Sequence, residues 1–169
     1  MTRPRILVAG IGNLFRGDDA FGVEVAHRLA ARPLPPGVRV VDFGIRGLDL
    51  AYAILDGYDV VILVDAISRG GAPGTLCVLE PDPEDPATLP DRGQAVDGHG
   101  MDLPAVFHLV RALGGTFPPL YLVGCEPAAL GSEEDGALGL SEPVLAGVGG
   151  AIGLVEALIA ALLGEGGDA

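Results

Sequence analysis

Residues 5–31, RILVAGIGNLFRGDDAFGVEVAHRLAA, constrain the fold more than any other part of the chain. The run RILVA at 5–9 is apolar and rich in branched side chains and stops at Gly10. After a glycine-punctuated loop, Phe21, Val25 and Leu29 recur at helical spacing along AFGVEVAHRLAA at 20–31. Strand, tight loop and helix in that order are the opening unit of an α/β fold. The loop itself is unusual. Gly12 and Gly17 are spaced as in a phosphate-binding loop, but Asp18 and Asp19 stand where lysine and serine or threonine belong.

Two nucleotide readings of this loop fail on chemistry. Gly10 and Gly12 begin a GxGxxG fingerprint, yet Phe15 occupies the third glycine position, where a helix should approach a pyrophosphate. A Walker loop needs a lysine to neutralise phosphate, and two carboxylates do the opposite. The pair has a structural reading: Asp18 as N-cap of the helix and Asp19 as a favoured acid in its first turn. A metal-binding reading of Asp19 stays open beside it.

The remaining pattern extends the alternation. VRVVDF (38–43) reads as a strand, LDLAYAILDG (48–57) as a short helix stopped by Gly57, and DVVILVDAI (59–67) as a strand apolar on both faces, hence central in a parallel sheet. GTLCVLE (74–80) reads as a strand, as a possible hairpin partner of its predecessor and in an edge or mixed position. A proline-rich irregular loop covers 81–98. Asp102 N-caps a helix over 102–114 with Pro104 in its first turn, PLYLVGCEP (119–127) is a further strand, and a long helix begun by Ser141 runs over 141–163. The expected architecture is a three-layer α/β/α sandwich with a mostly parallel twisted sheet of about five strands, in one domain over 1–164 with a frayed tail at 165–169.

Composition narrows the partners. A formal charge of −13, from 23 acidic residues against 10 Lys and Arg, argues against nucleic acid, which needs clustered basic side chains. Apolar runs are interrupted before the roughly 20 residues of a membrane span, and no leader peptide is expected, so the expected site of action is the cytoplasm. Cys77 and Cys125 lie in apolar strand-like runs without CxxC spacing and read as buried free thiols.

Ligands of open α/β sheets bind beyond the carboxyl ends of strands, which selects Asp18 and Asp19 after the first strand, Asp42 in the second, Asp65 ending the third and His99 before a helix. Asp65 ends a central strand, where a charge is costly unless paired, hydrogen-bonded or metal-bound. His99 lies between glycines in DGHGMD, outside any apolar face, whereas His27 and His108 read as ordinary helix residues. Carboxylates and an imidazole converging on one crevice would suit nickel, zinc, manganese or iron.

GIGNLFRGDD, ILVDAI and a histidine ahead of the 102–114 helix resemble, together and in order, the hydrogenase maturation endopeptidases, over about residues 5–160. The resemblance implies a hydrolase that removes the C-terminal extension of a nickel–iron hydrogenase large-subunit precursor after nickel insertion. It also implies a metal site at Asp19, Asp65 and His99, with nickel supplied by the precursor or another divalent metal in its place. Asp42, in the matching second loop DFGIRG, and Asp18 are candidates for proton transfer; members often carry threonine where this chain has Ile45. No serine or cysteine stands in a nucleophile setting, leaving metal-assisted attack by water. A non-enzymatic, nickel-dependent chaperone of the metallated precursor is the alternative.

Overall fold

A computed structural model of the protein describes residues 2–89, 101–128 and 139–165. The strands are β1 (Ile6–Ile11), β2 (Val38–Gly44), β3 (Val60–Ala66), β4 (Leu76–Leu79) and β5 (Leu120–Cys125). The α-helices are α1 (Phe21–Ala30), α2 (Gly47–Leu55), α3 (Leu103–Ala112) and α4 (Glu142–Glu165). One sheet has the order β2-β1-β3-β5-β4. All pairings are parallel except β4 with β5, which is antiparallel.

The layers follow from strand periodicity. Along β1 and β3, Leu7, Ala9, Val61 and Leu63 face a core built with Leu50 and Ile54 of α2 and Val106, Phe107 and Val110 of α3. Ile6, Val8, Ile62 and Val64 face the opposite core, made with Phe21, Val25 and Leu29 of α1 and Val144, Val148 and Val155 of α4. Both faces are covered, so β1 and β3 are buried at every position, and the expected three-layer sandwich is present.

Three expectations need correction. β4 is not the hairpin partner of β3: β5 lies between them, with Leu76 opposite Cys125 and Leu79 opposite Leu122. The edge position is as expected, but the turn after β3 leads the chain past a neighbour that begins only at Leu120, after β4 and α3, and local spacing carries no record of that. Apolar composition also reaches bilayer length in one place, because Glu142–Gly164 of α4 is long and apolar enough to cross a membrane. Val144, Val148, Ala151, Ile152, Val155 and Ile159 bury one side of it on the sheet, while Glu156 is exposed. The loop expected at 81–98 contains a 3-10 turn at Pro86–Thr88, capped by the Asp85 carboxylate, which accepts from the Ala87 N–H at 3.0 Å. The rest of that stretch and residues 166–169 of the expected tail lie outside the described residues.

Asp102 caps α3 as expected, accepting from the Ala105 N–H at 3.4 Å with Pro104 in the first turn. At the start of α1 the governing feature is distance. A Cβ on Gly22 would lie 2.0 Å from the Val64 carbonyl oxygen and 2.4 Å from that of Ile11. The helix therefore rests directly on the backbone at the ends of β1 and β3, which no side chain larger than hydrogen permits.

The contacts at Gly22 are backbone atoms of the sheet, which cannot move aside. Gly22→Ala is therefore expected to destabilise the fold by about 3 kcal/mol, at the upper end of what overpacking costs. Denaturant unfolding monitored by circular dichroism measures this.

Candidate functional site

The first loop is held open by its own hydrogen bonds. Gly12 leaves β1 with φ of 146°, and a Cβ there would lie 1.8 Å from the Asp19 carbonyl oxygen, so the loop doubles back on itself at a glycine. The Gly12 N–H donates to the Gly44 carbonyl at 3.0 Å, tying this loop to the one after β2. The Asn13 N–H donates to Asp19 Oδ2 at 3.0 Å, and Asn13 Oδ1 accepts from the Phe15 N–H at 2.9 Å. Asn13 and Arg16 are both buried, and Arg16 was not singled out by residue pattern. An arginine two residues before an acidic pair, inside a glycine-rich loop, is the signal that could have marked it.

Asp18 and Asp19 open a 3-10 turn, Asp18–Ala20, that precedes α1 and lies against β3. The expected capping role of Asp18 is corrected here. The N-cap of α1 is Ala20, without a side-chain cap bond. Both carboxylate oxygens of Asp18 instead reach across the molecule: Oδ2 accepts from the Ala128 N–H at 2.9 Å and the Ser141 hydroxyl at 2.9 Å, and Oδ1 accepts from the Ser141 N–H at 2.7 Å. The turn inserted before α1 displaces Asp18 from the helix end and points it at the segment after β5 and the start of α4. With three donors on two oxygens, Asp18 is a structural clip.

Asp19 is buried at 6% exposure, and Asp65 at 2%. Asp65 stands opposite Gly124 at the end of β3, and the alternation along β3 puts it on the face of Val61 and Leu63, toward α2 and α3. The 3-10 turn carrying Asp19 packs against β3, so two buried carboxylates share the carboxyl end of the sheet. His99 lies outside the described residues. Among the described residues, no group of three or more His, Cys, Asp and Glu side chains is gathered as for a metal ion.

The structure does not bring Asp42 to this pair. It lies on β2 with the parity of Val38 and Val40, on the α1 face of the sheet, where His27 Nε2 is 2.8 Å from Asp42 Oδ2. Asp65 points to the opposite face, with β1 between the two strands. Period-two alternation separates them, and sequence order alone could not show which strands would be neighbours. His27, read as an ordinary helix residue, is half-exposed and is the partner of Asp42.

The two cysteines are free thiols, as expected, but only Cys125 is buried and Cys77 is partly exposed. Cys77 packs in the α2–α3 core and Cys125 in the α1–α4 core, so the sheet stands between them and no disulfide can form. Burial, reinforced by the Asp18 carboxylate, pushes the Cys125 thiol up to about 11, so it is protonated and non-nucleophilic at neutral pH. Among the described residues, the two buried carboxylates offer oxygen ligands at this end of the sheet. They fit a divalent cation, because an ion offsets the cost of burying two like charges together.

Known proteins match this sequence and fold. The sequence model of the hydrogenase maturation protease family matches residues 23–158. The chain is 36% identical over 128 residues to the hydrogenase 2 maturation protease of Escherichia coli K12, a match covering 75% of each chain. It is 37% identical over 149 residues to the hydrogenase expression/formation protein HoxM of Azotobacter vinelandii, covering 86% of this chain and 68% of that one. Its fold superposes on the hydrogenase maturating endopeptidase HybD from E. coli with a TM-score of 0.75 and 33% identity, over 92% of this chain and 91% of the other.

Removing the hydroxyl that donates to Asp18 in Ser141→Ala should cost about 1.5 kcal/mol, the scale of a hydrogen bond to a charged group, and lower the midpoint of urea unfolding. The Cys125 thiol should resist alkylation in the native protein at pH 8 and react after unfolding. The stability this thiol contributes by staying neutral is intact below 9.0 and lost as pH rises through about 11. The melting temperature of the wild type should therefore fall more steeply over that interval than that of Cys125→Ala.

Proposed function

This chain belongs to the hydrogenase maturation protease family, and we propose that it removes the C-terminal extension of a nickel–iron hydrogenase large-subunit precursor after nickel has been inserted. The observation that carries the reading is the pair of buried carboxylates, Asp19 and Asp65, at the carboxyl end of the sheet. His99, outside the described residues, is proposed as the third ligand on the strength of the motif it shares with the family. These residues would hold the precursor's nickel, or another divalent ion in its place. When bound, the ion would supply Lewis-acid polarisation of a carbonyl and a more acidic water.

What the chain contributes beyond the ligands is exclusion and rigidity. Asp18 has both oxygens engaged, which favours a positioning role over the proton transfer for which it was a candidate. Asp42, bonded to His27 on the far face of β1, is poorly placed for the same task. A raised Cys125 thiol supports hydrolysis by water over an acyl-enzyme route. The reaction is assigned to the cytoplasm. A chaperone that only holds the precursor is disfavoured, since relatives with this fold bear the names of proteases and endopeptidases.

The test is mass spectrometry of the large subunit after incubation with the purified protein, with and without nickel. Shortening by one C-terminal peptide, only in the nickel-loaded precursor, is the expected result. Asp19→Ala, Asp65→Ala and His99→Ala should each fold and lose at least about 100-fold in rate, the scale of losing one preorganised group at a reacting carbonyl. Normal rates in all three variants would remove the site assignment.

A further inference from the structure

Eight large apolar side chains are exposed among the described residues, and five of them, Leu14, Phe15, Ile45, Leu48 and Tyr52, come from the loop after β1 and the segment after β2. The Gly12–Gly44 hydrogen bond holds these two segments side by side at the carboxyl end of the sheet. Leu48 and Tyr52 stand one helical turn apart on the outer face of α2. Phe15, 63% exposed, sits at the tip of the loop whose Asn13 is bonded both to Asp19 and to the Phe15 N–H itself. A large apolar side chain held in water by a fixed turn, four residues from a buried candidate ligand, is not the scattered exposure normal for a surface.

We propose that these five side chains form an apolar rim that seats apolar residues of the substrate polypeptide beside the bond presented to Asp19 and Asp65. The proposal rests on the peptidase reading above. The charges around the rim select the occupant. Arg46 Nη1 lies 3.2 Å from Asp49 Oδ2, so the charges within the rim are paired with each other and offer little to a strongly charged segment. A second copy of this chain is a poor occupant, because each copy carries a formal charge of −13 and the rim adjoins two further buried acids. An extended segment with apolar side chains fits the rim, whose loop also carries Asp19. Exposed aromatic and aliphatic anchors of this kind set affinity more than turnover.

The experiment is steady-state cleavage of a nickel-loaded large-subunit precursor by the wild type, Phe15→Ser, Leu48→Ser and the double variant, with binding of the same precursor followed by interferometry. All four proteins should melt at the same temperature, since both residues are exposed. The double variant should raise KM at least about 10-fold with kcat within about twofold, and Phe15→Leu should restore KM. A double variant whose KM stays within twofold of a wild type that cleaves would overturn the rim alone. A wild type that neither shortens nor binds the precursor would overturn the peptidase reading and the rim together. A wild-type dimer that dissociates on these substitutions would assign the rim to self-association and overturn the proposal.

Discussion

The carboxyl end of this sheet depends on one close approach. Gly22 lets the first turn of α1 rest on the carbonyl oxygens of Ile11 and Val64, and through them on the ends of two adjacent strands. With the helix that near, the connection from β1 has to fold into a compact loop, and Gly12 supplies the backbone angle that allows it. The carboxylates that this loop carries are buried as a consequence of that approach. In a dinucleotide-binding protein the glycine for close helix packing belongs three residues after Gly12; here it comes at Gly22, after a 3-10 turn, and the added residues are the ones that bring acids to the carboxyl end of the sheet.

That geometry divides the acidic pair. Asp18 and Asp19 are neighbours in a 3-10 turn and so project in different directions. One reaches to Ala128 and Ser141 and joins three elements, and the other folds back to the Asn13 N–H beside β3. A buried carboxylate with three donors among the described residues is fixed in place by those hydrogen bonds and acts as a structural anchor. Its neighbour accepts one backbone hydrogen bond at the place where Asp65 ends the central strand, which leaves it suited to an ion brought by a substrate. The same loop raises Phe15 at its tip, so the proposed recognition and the proposed chemistry would share one short stretch of backbone.

Much of this was legible in the sequence, and the losses have a common cause. The alternation of strands and helices, the central place of β3 and the cap at Asp102 were readable because each depends on residues within a few positions of one another. The insertion of β5 between β3 and β4 was not, because local pattern carries no pairing partner. The role of Asp18 was missed for the same reason: its partners are 110 and 123 residues away in sequence. Asp42 shows a subtler failure. Its place in the second strand was read correctly, but the strand period turns it to the α1 face, away from Asp65. His99 was selected by its place between glycines ahead of a helix, and its reading as a ligand came through likeness to a family.

In the proposed reading the adjacent carboxylates serve separate ends, Asp18 architecture and Asp19 an ion. Melting temperature and processing of a nickel-loaded precursor, measured together for Asp18→Asn and Asp19→Asn, test it most directly. The account predicts that Asp18→Asn loses about 2 kcal/mol of stability, as the amide replaces an acceptor facing backbone N–H groups, while the folded fraction still shortens the precursor. It predicts that Asp19→Asn melts close to the wild type and leaves the precursor at full length. Full processing by Asp19→Asn, with loss only in a stably folded Asp18→Asn, would contradict it.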